Sequence, residues 1–376
     1  MHKKVPGQRF IAASSACTTK GLSMQLTAIF KLLYKNHTNY CRKLYHNTGY
    51  NRMWIADNSV DVIKHIQSIN RDKNYSPKCL NTYDFSTLYT NIPHDDLKKR
   101  LAWIVKFAFR GGQWKYIRVY KDKAYWCRNS TNRPNVYTQE CILELLNFLI
   151  DNIYVKVGDF VFRQAIGIPM GTDCAPFLAN LYLYALEFEF MAKLQSEKRY
   201  STLRKFRSCR RYIDDLFTVN NEDFFSRYAG EIYPKSLVLN RENKENHICS
   251  FLDLCIRIDD GHISTKIYDK RDDFPFTVRN FPHLSGEVPF RQSHGTFVSQ
   301  IIRYTTACDK FEDVLTRSNL LIDKLLDQGF CLKLMRQCCR KFCNNYPDLV
   351  SKYNLSPSIF VQSIFNNTTR RYFTLL

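Results

Sequence analysis

At 376 residues the chain exceeds a typical single domain and has the length for two or three subdomains. Hydrophobic residues at 45% and aromatics at 14% exclude a disordered chain. Fifty-five Lys and Arg against 35 Asp and Glu give a net charge of +20, which points to a polyanionic partner, nucleic acid first and an anionic membrane surface second. An ordinary basic soluble protein is the plainer reading of the same excess.

The segment 1–24 allows a short strand around Arg9–Ala13 and then turns polar. Residues 25–50 carry Leu26, Ile29, Leu32 and Leu33 at helical spacing. "LNTYDF" at 80–85 reads as a strand, and Pro93 with Asp95 opens a helix whose apolar face is Leu97, Leu101, Ile104, Val105 and Ala108. Residues 111–137 suit a hairpin or loop, and "TQECILELLNFLIDNIYV" reads as a helix running into a strand. "DFVFRQAIGIPMGTDCAPFLANLYLYALEFEFMAKL" passes from strand through a Gly-flanked turn to a long helix with Pro176 in its first turn. "CRRY" and "LFTV" flank "IDD" as strand, turn and strand. A further hairpin turns at Asp260-Gly261, and from about Ser293 the chain is mostly helical, with Gly329 as a C-terminal stop. Antiparallel hairpins mixed with helices, rather than steady strand–helix alternation, make this an α+β chain.

Fourteen cysteines show neither regular spacing nor a CxxC, and no apolar signal segment follows "MHKKVPGQRF", so free thiols in a reducing, intracellular compartment are expected. Cys331, Cys338, Cys339 and Cys343 cluster without a nearby histidine and lack the usual zinc-ligand spacing. No uninterrupted apolar run reaches the ~18 residues of a membrane span. The nearest, "CILELLNFLIDNIYV", is broken by Glu144 and Asp151, so no membrane partner is expected.

The acidic landmarks are Asp84, at the end of one strand, and the adjacent Asp214 and Asp215, 130 residues later. Aspartate is rare inside strands. Carboxylates ~4 Å apart repel by about 1 kcal/mol in water and about 4 kcal/mol at an effective dielectric of 20. If the fold brings the two strands together, the cluster is tolerable only with cations. Hard oxygen donors without His or Cys select magnesium or manganese. Two such ions about 4 Å apart stabilise an in-line displacement at phosphorus. Taken singly, each aspartate reads more readily as a turn or cap residue, and spacing alone does not join Asp84 to Asp214.

Four segments, "YDFSTLYTNIPHDDL", "QAIGIPMGTDCAPFLANLYL", "RRYIDDLFTV" and "FLDLCIRI", stand in the order of reverse transcriptase motifs A, B, C and E. Together with "YDKRDDFPF" they resemble the Penelope-like retroelement group, and "RFIAASSACTTKGLS" is similar to its second fingers motif. The resemblance covers about residues 8–350. It implies a right-hand polymerase with an antiparallel palm sheet and a mainly helical thumb. Residues 1–78 would be partial fingers, 79–290 the palm with a fingers insertion at about 100–160, and 291–376 the thumb and C-terminal region.

The implied activity is RNA-directed DNA synthesis: two-metal nucleotidyl transfer extending a DNA primer on an RNA template with dNTPs. By resemblance Asp84, Asp214 and Asp215 hold two Mg2+ (or Mn2+) ions, and the Phe85 carbonyl completes a coordination sphere. Tyr89 stands where an aromatic ring blocks a ribose 2′-hydroxyl, with core packing as its plainer role. Gly167, Pro169, Met170 and Gly171 form the turn under the incoming base and template, and Tyr212 belongs with these dNTP- and template-binding residues. Met170 replaces the Gln of retroviral enzymes. Arg9 matches a fingers arginine that meets the triphosphate, or is a strand-edge surface residue. Phe251 and Leu252 would form the primer grip, and Lys244 is a candidate general acid to pyrophosphate. Lys333, Arg336 and Arg340, with Lys341 beside them, would track duplex phosphates or form a solvated helix face.

The chain begins almost at the second fingers motif and ends without a GIY-YIG endonuclease, so a truncated copy, a fragment or an endonuclease-deficient lineage is expected. A catalytically inactive nucleic-acid-binding remnant is the alternative function. Copying into chromosomes implies the nucleus.

Overall fold

The computed structural model describes residues 12–129, 134–276, 278 and 280–373. Helices and antiparallel sheets are mixed along the chain. By contact it divides into two compact units, Met1–Ile55 with Asn81–Glu242, and Ala56–Leu80 with Asn243–Leu376.

The first unit is organised on a four-stranded sheet in the order Arg210–Tyr212, Asp215–Val219, Leu80–Phe85, Leu239–Arg241. Leu80–Phe85 runs antiparallel to Leu239–Arg241, with Asp84 opposite Asn240 and Phe85 opposite Leu239. Arg210–Tyr212 and Asp215–Val219 form a hairpin closed by the pair Tyr212–Asp215. Strand Leu80–Phe85 is buried at every position except Asp84, as expected of a strand inside its sheet.

Helices Lys20–Thr48, His94–Ala108, Gln139–Asp151 and Ala175–Ser196 supply most of the remaining core. Helix His94–Ala108 begins as its sequence predicts. Pro93 precedes it, Asp95 and Asp96 occupy the first turn where the positive helix end favours them, and the predicted apolar face is buried. Helix Ala175–Ser196 is buried around nearly its whole circumference, and Pro176 stands in its first turn. Within 111–137, Tyr116–Tyr120, Lys123–Cys127 and Val136–Tyr137 form a small antiparallel sheet. Tyr154–Val157 and Phe160–Arg163 make a separate exposed hairpin. Of the strand expected around Arg9–Ala13, only Ala12 and Ala13 lie among the described residues, and they have no regular structure.

The second unit contains the antiparallel sheet Ile248–Phe251, Leu254–Asp259, His262–Ile267 and the helices Gly295–Ala307, Phe311–Leu326, Leu332–Asn345, Pro347–Ser351 and Pro357–Phe373. The hairpin turns at Asp260-Gly261, both at positive φ (48° and 77°), the backbone that a two-residue turn of this kind requires. Helix Ser59–Arg71 joins this unit. Asn58 caps it by accepting from the Val60 and Asp61 amides, and the Asn70 amide bonds both ways with the Ile263 backbone. Phe311–Leu326 ends three residues before Gly329, whose φ of 80° suits a helix stop. No helix among the described residues is long and apolar enough to cross a membrane.

Candidate active site

The first unit brings the two aspartate-bearing segments together. Strands Leu80–Phe85 and Asp215–Val219 are hydrogen-bonded neighbours, which sets their backbones ~4.8 Å apart. The Phe85 amide donates to the Asp214 carbonyl at 3.2 Å. Asp84 therefore precedes, and Asp215 follows, a direct backbone link between the two segments. All three aspartates are half-buried, whereas Phe85, Leu216 and Phe217 beside them are buried.

The turn that carries Asp214 is strained. Ile213, its first residue, has φ of 53°, which a β-branched side chain adopts only where its surroundings enforce it. The Ile213 carbonyl accepts a bond from Arg211 Nη1 at 2.9 Å, and its side chain packs on the apolar core.

Tyr89 lies in the short helix Leu88–Asn91 just beyond Asp84. Burial, followed by the nearby Asp214 carboxylate and Tyr212, pushes its phenol up to about 12, so the hydroxyl stays neutral. The glycine turn docks on the same segment. Gly167 N–H donates to the Ile92 carbonyl at 2.8 Å and Ile168 N–H to the Tyr89 carbonyl at 2.6 Å. His94 Nε2–H donates to the Gly167 carbonyl at 2.7 Å.

Gly167 has φ of 83°, and a Cβ there would stand 2.5 Å from the Tyr89 carbonyl oxygen. At Gly171 a Cβ would collide with the Ala12 carbonyl. These two glycines are required by close backbone approach. Pro169 and Met170, between them, line a cavity of about 750 Å³ together with Ser14, Thr90 and Gln164. Lys20 pairs with Asp173 at 2.8 Å and Ser23 Oγ accepts from the Cys174 amide at 3.2 Å, so helix Lys20–Thr48 is fastened to the end of the same turn.

Asp84, Phe85, Tyr89, Gly167, Pro169, Met170, Gly171, Tyr212, Asp214 and Asp215 thus lie on adjoining segments of one unit. The donor set at the strand ends is carboxylate and carbonyl oxygen, the chemistry that suits a hard divalent cation. Among the described residues, no group of three or more His, Cys, Asp or Glu is arranged so that it could hold a metal ion.

The other sequence-predicted residues lie elsewhere. Arg9 is outside the described residues. Phe251 is buried at the end of its strand, and Leu252 follows at φ of 56°. Lys244 is exposed in a bend before that strand. On helix Leu332–Asn345, Lys333, Arg340 and Lys341 are exposed, while Arg336 is half-buried with its guanidinium 5.9 Å from the Phe365 ring centroid. Sequence reasoning missed Arg211 and Glu187, which form a fully buried ion pair directly behind the turn. The only signal was a glutamate inside the apolar run "LYLYALEFEF".

No family profile matches the sequence, and no curated protein matches it. Among solved structures, the chain is similar to telomerase from Candida albicans in complex with a TWJ fragment of telomeric RNA, at 16% identity and a TM-score of 0.48, over 92% of this chain and 53% of that one. It is also similar to apo telomerase from Candida tropicalis, at 12% identity and a TM-score of 0.47, over 90% of this chain and 53% of that one. The telomerase of Candida tropicalis in complex with a TWJ fragment gives 14% identity and a TM-score of 0.44, over 87% and 47%. The chain spans about half the length of these proteins.

Proposed function

We propose that the chain is an RNA-directed DNA polymerase of the Penelope-like reverse transcriptase kind, extending a DNA primer on an RNA template with dNTPs. In this reading the four-stranded sheet is the palm and the C-terminal helices are the thumb. The observation that carries it is the strained Ile213–Asp214 turn, hydrogen-bonded at its Asp214 carbonyl to the residue after Asp84.

Asp84, Asp214 and Asp215, with the Phe85 carbonyl, would hold two magnesium ions. Bound there, the metals supply charge neutralisation at the α-phosphate and pyrophosphate and a lowered pKa for the primer 3′-hydroxyl. The chain's own contribution is positional. The two hydrogen-bonded strands fix the backbones that carry the carboxylates relative to each other, and by the resemblance the Gly167–Gly171 turn would lie under an incoming base. By the resemblance, the neutral Tyr89 ring, beside Asp214, would press on a ribose 2′-hydroxyl. The net charge of +20 favours the phosphate backbones of template and primer, and copying into chromosomes would set the work in the nucleus.

The test is primer extension on a primed RNA template with magnesium, comparing the wild-type chain with Asp84→Asn and Asp214→Asn. Extension lost in both variants, with melting temperatures kept, is the expected result. Extension retained in either variant removes that residue from catalysis. No extension by the wild type, with salt-sensitive template binding intact, replaces the polymerase with a nucleic-acid-binding remnant.

A further inference from the structure

Arg211 has no exposed surface, and its guanidinium uses every donor it has. Nε and Nη2 reach the two Glu187 oxygens at 2.5 and 3.1 Å. Nη1 donates to Asn180 Oδ1 at 2.7 Å, and Nη2 to the Asn180 carbonyl at 3.1 Å. The fifth bond, from Nη1, goes to the Ile213 carbonyl at 2.9 Å. Glu187 is likewise fully buried, and the Tyr233 hydroxyl donates to its Oε1 at 3.0 Å. The Arg211 amide is itself anchored on the Trp54 carbonyl at 2.7 Å.

Four of the five bonds go to helix Ala175–Ser196, the helix that follows the glycine turn. The fifth goes to the Ile213 carbonyl, in the peptide group between the two central residues of the turn. A buried ion pair is a poor source of stability, because apolar residues of similar volume usually serve as well. What it supplies here is direction: a rigid planar fork that ties the strained turn to the helix behind it.

We propose that Arg211 is a positioning residue: by holding the Ile213 carbonyl it keeps the turn in the conformation that presents Asp214 and Asp215 beside Asp84, with Glu187 and Asn180 fixing the fork. The proposal rests on the polymerase reading for its purpose, but not for its geometry.

The test uses the full chain and the double variant Arg211→Met/Glu187→Leu, which replaces the pair with apolar side chains of similar size. Melting temperature, hydrogen–deuterium exchange of the peptide spanning 210–219, and Mn2+ binding followed by electron paramagnetic resonance are measured together. The expected result is a folded variant in which hairpin exchange quickens about tenfold and Mn2+ affinity drops by about tenfold, as when other groups that orient metal ligands are removed. A folded variant with wild-type exchange and wild-type Mn2+ affinity overturns the proposal. If the double variant does not fold, Arg211→Lys, which keeps the charge opposite Glu187 but not the fork, is measured in the same way. Faster exchange with weaker Mn2+ binding then supports the positioning role, and wild-type values of both overturn it. If the wild type itself neither binds Mn2+ nor extends a primer, the polymerase reading falls. The exchange rates then decide the positioning role alone, and unchanged exchange overturns it.

Discussion

At Gly167 two separate costs would fall on any side chain: the left-handed backbone and the collision with the Tyr89 carbonyl. Gly158, at φ of 61° in the exposed hairpin, has open space where its Cβ would stand and so isolates the first cost. Gly158→Ala is expected to cost about 1 kcal/mol, from the conformation alone. Gly167→Ala is expected to cost about 3 kcal/mol, since steric displacement of the Tyr89–Thr90 backbone is added. Chemical denaturation of the two variants measures the difference, and equal costs would mean that the glycine turn is not pressed on Tyr89. Tyr89 has its own test. Tyr89→Val removes the ring beside Asp214 and is expected to admit ribonucleotides in primer extension; an unchanged sugar preference would leave the ring as core packing. The sequence already held these residues as motifs. It did not hold the contact that ranks them, because a carbonyl 78 residues away from the glycine leaves no trace in local spacing.

The elements themselves were largely legible, for reasons tied to particular residues. Strand Leu80–Phe85 and helix His94–Ala108 announce themselves by β-forming residues, a leading proline and acidic first-turn residues. Helix Ser59–Arg71 went unread although Asn58 and the spacing of Val62, Ile63, Ile66 and Ile69 signal it. The polar groups buried between elements were not legible at all, since only packing pairs them. His37 is such a case. Its Nε2–H donates to the Ile104 carbonyl at 2.9 Å, so Nδ1, 3.3 Å from the Tyr184 hydroxyl, is the acceptor. Burial, the larger effect, lowers its pKa to about 4 against the raising effect of the Ile104 bond. The unfolded chain therefore binds the proton first as pH falls from about 6.5. Stability is full above that value and is lost by about 3 kcal/mol as pH drops to about 4. His37→Gln keeps a donor for Ile104 but cannot titrate. It is expected to flatten the pH dependence of the unfolding free energy between pH 6.5 and 4 by one proton; an unchanged slope would mean that His37 is charged in the folded protein.

At the scale of the whole molecule the excess of positive charge is the feature with functional reach, and its distribution on helix Leu332–Asn345 makes it testable. Met335, Cys339, Phe342 and Cys343 turn inward, which leaves Lys333, Arg340 and Lys341 exposed. Arg336 differs from them. Its guanidinium lies by the Phe365 ring, and its Nε is buried without a hydrogen-bond partner, so its removal is felt in packing as well as charge. If the exposed three neutralise duplex phosphates, each releases about one counterion on binding. The triple variant Lys333→Ala/Arg340→Ala/Lys341→Ala is then expected to bind a primer–template duplex more weakly at low salt. The slope of log affinity against log salt should be shallower by roughly 2 to 3, with the melting temperature unchanged. Fluorescence anisotropy across a potassium chloride series reads the slope directly. A weaker affinity with an unchanged slope would mean that the face acts through the fold rather than through phosphate contact. An unchanged affinity and slope would mean that these side chains only keep the helix solvated, and that the phosphate-binding charge lies elsewhere on the chain.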